Sequence, residues 1–226
     1  LKKANKEAII NVFILLIVFF IFVYGLFYKK KFNNFADKTY DYKIRVVGSK
    51  IGLDRFYSKT DSVSVIQDLI KLSKPKINEK TIFVWPEGIL PNISQDELIE
   101  YNWLFDENFS ENHLFIIGIN SRSTNQESNG HYNSLSLFDN NLNLLNSYNK
   151  INLVPFGEFL PLEFILKNIG LRSLTNNYEP FLSGEKRDII EINQQNFSLR
   201  ILPLICYEII YSGKLFTDSN FDLIIN

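Results

Sequence analysis

The sequence predicts an α/β layered domain preceded by one membrane-spanning helix, and three observations carry that reading. An uncharged run near the N-terminus is long enough to cross a bilayer. Beyond it, short apolar runs alternate with helical stretches, and a polar Asp-Asn-Asn turn joins two of the runs as an antiparallel hairpin. The composition suits a packed core: 46% apolar and 15% aromatic residues argue against disorder. A net charge of −1 lacks the basic surplus that a nucleic-acid binder needs. One Cys, Cys206, leaves no intrachain disulfide to form.

The elements follow in order. Residues 1–7 are a basic flank and 8–28 the membrane helix, a run of about 20 uncharged residues that spans roughly 30 Å as a helix. A buried core helix of that length would show a polar face, and this one has none. A signal peptide fits less well, because the run exceeds the roughly 7–15 residues of a signal core and no small-residue cleavage site follows Gly25. Lys2, Lys3 and Lys6 on one side and Lys29, Lys30 and Lys31 on the other leave orientation unset by charge. Residues 29–41 read as a linker and 42–226 as the domain. The chain has no Met, opens on Leu1 and ends in the apolar run before Asn226, so both termini are expected to be cut points and the domain incomplete.

Within the domain, 44–47, 81–84, 114–119, 134–138, 144–148, 189–192, 197–205 and 223–225 read as strands. An amphipathic helix is expected over 62–72. A second is expected over 94–105, opened by the capping-box pair Ser94 and Glu97. The stretch 120–133 is polar, carries Gly130 and reads as an exposed loop holding His131, whereas His113 opens a strand. Neither His has ligand neighbours, and no phosphate loop or metal-spaced cluster is present, so neither metal nor cofactor is expected.

Chemistry has three candidate places. Val84-Trp85-Pro86-Glu87-Gly88 ends a buried strand on a Pro with a carboxylate next, and a carboxylate at a dry strand end can serve as a general base. Taken alone, Glu87 is as readily a solvated turn residue. Lys150 follows a strand and precedes a segment broken by Pro155, Gly157 and Pro161, whose fixed path can return Glu158 to the lysine. Such a Lys can stabilise an oxyanion, though a surface Lys beside a Pro-Gly turn reads equally well. Cys206 ends a long apolar strand just before an expected helix start, where backbone N–H groups favour a thiolate. A single Cys is more often an inert core residue. The neighbouring Glu208, and the strand-end settings of Glu87 and Lys150, weigh against that here.

The order Glu87, Lys150, Cys206, with gaps of 63 and 56 residues, resembles the Glu-Lys-Cys triad of the nitrilase (carbon–nitrogen hydrolase) superfamily. Val84-Trp85-Pro86-Glu87, Lys150-Ile151-Asn152-Leu153-Val154-Pro155-Phe156-Gly157-Glu158 and Cys206-Tyr207-Glu208 are similar to the signature blocks of bacterial apolipoprotein N-acyltransferases, the second being the most specific. The likeness covers roughly residues 42–226. It departs from the family at Val46-Val47-Gly48-Ser49-Lys50, where a Gln-x-Asn motif is usual, at Phe56, where a Trp is usual, and at Gly88.

The resemblance implies a nitrilase-like α-β-β-α sandwich and an acyltransferase working through a Cys206 thioester. A phospholipid would be the acyl donor and the α-amine of a diacylglyceryl-apolipoprotein the acceptor. Glu87 would act as base, Lys150 and the Tyr207 N–H as oxyanion donors, Glu158 and Glu208 as supports, and Phe56 as a substrate contact. It also implies a monomer in the bacterial inner (plasma) membrane, its catalytic domain in the periplasm, with apolar loops at 159–162 and 164–166 near the site. A membrane-anchored amidase with the same triad, or a non-catalytic tethered domain, are the alternatives the residues leave open.

Overall fold

The computed structural model describes residues 2–33, 40–48, 61–90, 92–123, 130–162, 180–194, 197–211 and 220–226. The chain divides into two compact units, Leu1–Tyr40 and Asp41–Asn226. The first is one helix, α1 (Lys2–Asn33), which overruns the expected 8–28 at both ends because its lysines are good helix formers. Its stretch Ile10–Lys30 has a mean hydropathy of 2.8 and none of it is buried. A helix with no polar face and no buried one is stable only in an apolar solvent or against a partner.

The second unit is built on two sheets. Strands β1 (Lys43–Val46), β2 (Thr81–Trp85), β3 (His113–Arg122), β4 (His131–Phe138) and β5 (Leu144–Asn149) lie side by side in that order. β1, β2 and β3 run parallel; β3, β4 and β5 form an antiparallel meander. The smaller sheet joins β6 (Ile190–Gln194) antiparallel to β7 (Phe197–Pro203), and β7 parallel to β8 (Leu223–Ile225).

Side-chain alternation sorts the first sheet into two faces. Phe83, Trp85, Phe115, Ile117 and Ile119 pack on helix α2 (Ser62–Ser73), on a 3-10 turn at Leu98–Tyr101 and on the short helix α3 (Asn102–Asp106). Ile82, Leu114, Ile116, Leu135 and Leu137 pack instead on Ile190, Ile192, Leu199 and Ile201 of the second sheet. The described residues thus make helix, sheet and sheet layers. Helix α2 starts where the Asp61 carboxylate accepts from the Val63 and Ser64 N–H groups, and it buries Val65, Ile66, Leu69 and Ile70 on one stripe.

Two expectations are corrected. Residues 94–97 are not helical: Glu97 does accept from the Ser94 N–H at 2.9 Å, but Ser94 bridges to Asn120 beside β3 and the 3-10 turn begins only at Leu98. The 120–133 segment is not all loop either. β3 runs to Arg122 and β4 starts at His131, because Ser121, Ser134 and Asn149 satisfy one another across the strands (Ser121 Oγ to Ser134 Oγ 2.7 Å, Ser134 Oγ to Asn149 Oδ1 2.7 Å). The hairpin at 139–141 is present, closed by the Asp139 carboxylate accepting from the Asn141 and Asn143 N–H groups.

Candidate active site

Three strand ends deliver the three predicted residues. β2 stops at Trp85 and the chain turns through Pro86 and Glu87, with Gly88 in the left-handed region at φ 64°. β3 lies against this turn at Gly118, where an added Cβ would sit 2.5 Å from the Glu87 Cα. Only a glycine lets the strand pass so close, so Gly118 helps fix where Glu87 stands. Glu87 is exposed rather than dry, which corrects the expectation, because it stands on the exposed turn with Pro86 beyond the last residue of β2.

β7 ends at Pro203, and Leu204 still donates its N–H to the Ile225 carbonyl at 2.8 Å. Ile205 is extended, and Cys206 then switches to φ 53°, a left-handed conformation costing a non-glycine residue about 1–3 kcal/mol. Cys206 is exposed there. The next element is a 3-10 turn, Cys206–Ile210, and not the expected helix, so no macrodipole of consequence faces the sulfur. Tyr207 is exposed beside it.

Glu87 and Cys206 line one cavity of about 280 Å³, walled by Val84, Ile116, Leu135 and Ile225. Lys150 is not on its wall. It follows β5 directly, is 1% exposed, and its Nζ lies 2.8 Å from Glu158 Oε1. The turn through Pro155 and Gly157 brings Glu158 back: Phe156 takes φ 63°, and the Val154 N–H donates to Glu158 Oε2 at 2.8 Å. A buried ammonium needs such a paired and hydrogen-bonded carboxylate. Asn133 Nδ2 donates to Glu158 Oε1 at 2.9 Å and to Glu87 Oε1 at 2.5 Å. Since both partners are carboxylates, only the NH₂ end of this amide can face them. Asn133 thus links the Lys150–Glu158 pair to Glu87.

Glu208 is fully buried and gathers donors from two segments. Its carboxylate accepts from the Ile205 N–H (3.0 Å) on the cysteine turn and from the Ile151 and Asn152 N–H groups (3.0 and 3.1 Å) just after Lys150. The Tyr148 hydroxyl adds a bond at 2.8 Å, and Arg187 Nη2 lies at 2.9 Å. Burial, and then the Glu208 charge, push the Tyr148 phenol well above its ordinary range, so it stays a donor.

Of the remaining expectations, Phe56 and the 164–166 run lie outside the described residues. His113 opens β3, and His131 opens β4 rather than sitting in a loop. Among the described residues no group of His, Cys, Asp or Glu is placed to hold a metal. Asn133, Tyr148, Arg187 and Gly118 escaped the sequence reading. Of these only Gly118 carried a signal, being a glycine inside an apolar strand run.

Comparison with known proteins places the chain among relatives. A family model described as carbon-nitrogen hydrolase matches residues 43–224. A Caulobacter vibrioides protein named apolipoprotein N-acyltransferase is 29% identical over 81% of this chain, and one of that name from Wigglesworthia glossinidia brevipalpis is 30% identical over 88%. The chain spans 36% and 39% of the length of these two curated relatives. The solved structure of a cysteine-to-alanine mutant of a Nesterenkonia AN1 amidase from the nitrilase superfamily aligns over 80% of this chain and 61% of its own, at 13% identity and a TM-score of 0.45. With mixed sheets stacked in layers and a family match that spans nearly all of the second unit, the chain belongs to the carbon-nitrogen hydrolase family.

Proposed function

We propose that this domain, within the protein it belongs to, transfers an acyl chain from a phospholipid through a Cys206 thioester to the α-amine of a diacylglyceryl-cysteine at a lipoprotein N-terminus. The observation that carries the proposal is that Glu87 and Cys206 share one cavity while Asn133 ties Glu87 to the Lys150–Glu158 pair. The names of the two relatives support the acyl acceptor class. In the first half, Glu87 takes the thiol proton and the Cys206 sulfur attacks the sn-1 ester carbonyl carbon. Negative charge gathers on the carbonyl oxygen, where the Tyr207 N–H acts as a donor and Lys150, off the cavity wall, contributes its positive charge. The ester C–O bond breaks, the leaving alkoxide takes the proton from Glu87, and a lysophospholipid departs. In the second half the lipoprotein amine attacks the thioester carbon and Glu87 receives its proton; the C–S bond then breaks to give the amide, and the leaving thiolate takes the proton back from Glu87.

Helix α1 fits the same reading as a membrane span, with the domain on the periplasmic side of the inner membrane. Both substrates are lipids, so a site tethered to the bilayer works at a raised effective concentration. The experiment is to incubate the full-length protein with radiolabelled phospholipid and trap the thioester. The wild type is expected to carry a hydroxylamine-labile label on Cys206, and Cys206→Ser and Glu87→Gln to lose it. Ammonia release from simple amides without lipid dependence would favour an amidase instead, and label that persists in Cys206→Ser would exclude the thioester.

A further inference from the structure

We infer that Arg187 and Tyr148 are positioning residues, acting through Glu208 to hold the Cys206 turn in register with the segment that carries Lys150. The inference rests on the reading of Cys206 as nucleophile and adds to it residues outside the signature blocks. A carboxylate with no exposed surface must be neutralised from within the fold, or it will pull its partners apart on the way to solvent. Arg187 is the cation that does so: its side chain is 8% exposed and its Nη2 stands 2.9 Å from Glu208 Oε1.

Arg187 also donates through Nε to the Tyr148 hydroxyl at 3.1 Å and lies over the ring, its guanidinium carbon 5.7 Å from the centroid. That bond occupies the oxygen as acceptor, so the phenolic proton points to Glu208. The relay thus runs from Arg187 to Tyr148 to Glu208, and from there along three backbone N–H bonds. One of the three ends on Ile205, the residue before the strained Cys206; the others end on Ile151 and Asn152, directly after Lys150. A single carboxylate therefore sets the spacing of the two catalytic segments. Without Arg187 the buried charge has lost its counter-ion, the three N–H bonds loosen, and Cys206 is free to relax from its left-handed conformation.

The test uses detergent-solubilised full-length protein and two readouts, the rate of Cys206 alkylation by iodoacetamide, assigned by peptide mass spectrometry, and thioester formation with labelled phospholipid. Arg187→Gln is expected to slow both about tenfold, as the loss of one charge-assisted bond implies. Tyr148→Phe is expected to slow them several-fold, and Arg187→Lys, which keeps the cation, to react faster than Arg187→Gln. Because Arg187 acts through Glu208, the double variant of Arg187→Gln with Glu208→Gln is expected to be no slower than Glu208→Gln alone. Fully additive losses, or losses that merely follow the fall in thermal midpoint, overturn the inference. So does an Arg187→Gln protein that alkylates at the wild-type rate. If Arg187→Gln does not fold, the Tyr148→Phe and Arg187→Lys arms decide in the same way. Alkylation needs no phospholipid, so a wild type that alkylates but forms no thioester overturns the proposed donor while leaving the clamp to be judged on the alkylation rates.

Discussion

A missing methyl group helps decide where Glu87 stands. At Gly118 an alanine Cβ would lie 2.5 Å from the Glu87 Cα and 2.8 Å from its nitrogen, and both are backbone atoms that no rotamer change can move. The Pro86–Glu87 turn must therefore shift, while β3 is held in place by Leu114, Ile116 and Ile117. Displacement of a catalytic group by about 1 Å costs on the order of 100-fold in rate. Gly118→Ala is accordingly expected to form the Cys206 thioester about 100-fold more slowly, with its circular dichroism unchanged. A variant that forms it at the wild-type rate would show that Glu87 is held by Asn133 alone. At this scale the sequence was partly legible. The three candidate residues stand out as polar groups at the ends of apolar runs, and Glu158 is announced by the Pro and Gly that turn the chain back. Asn133 is not announced, because an amide that bridges two carboxylates is indistinguishable in sequence from any other polar strand residue.

Elements are held by polar groups as well as by apolar faces, and His113 is the case that pH can reveal. It is fully buried at the start of β3; its Nδ1 accepts from the Ser110 N–H at 3.0 Å, and its Nε2 faces the Lys76 carbonyl at 3.2 Å. Those bonds fix the neutral form with the proton on Nε2. Burial first, and then the Arg45 charge, hold its pKa below the usual 6.5. A depressed histidine means that folding expels a proton, so its contribution is intact above the unfolded value near 6.5 and is lost as pH falls below it. The thermal midpoint of the domain is expected to drop as pH falls below about 6.5. His113→Gln, which can offer an acceptor and a donor, is expected to flatten that drop; an unchanged pH profile in the variant would remove His113 from the account. The strands themselves were largely readable, since runs such as 81–84 and 223–225 are apolar throughout; β2 is buried on both faces, whereas β8 buries Ile225 and leaves Ile224 exposed. The end of β3 and the start of β4 read as loop because Asn120, Ser121, Arg122, His131 and Asn133 are polar. Ser121 and Ser134 bond one another across the sheet, and Ser134 bonds Asn149, which hydropathy cannot report.

For the whole molecule, the layered fold brings Glu87 and Cys206, which are 119 residues apart, onto one cavity because β2 and β7 belong to two stacked sheets and both end beside it. That convergence was legible only as three strand ends; which ends meet depends on sheet stacking, a long-range property that no local pattern encodes. Helix α1 is the opposite case, since its hydropathy is a direct property of the sequence and its function depends on the solvent around it. If α1 spans a bilayer, charge at its middle opposes insertion by about 2.5–3.5 kcal/mol per arginine. Leu16 and Phe20 lie near the centre of Ile10–Lys30 and one turn apart, on the same face. The chain of residues 1–226, expressed in bacteria, is expected to stay in the membrane pellet after carbonate washing. With Leu16→Arg and Phe20→Arg together, which oppose insertion by roughly 5–7 kcal/mol before the lost apolar area is counted, it is expected to leave the pellet. Release of the unaltered chain by carbonate would show that α1 does not span. Retention of the double variant would show that the sheet domain binds the bilayer by itself, and the tether would then be no part of the proposed access to lipid.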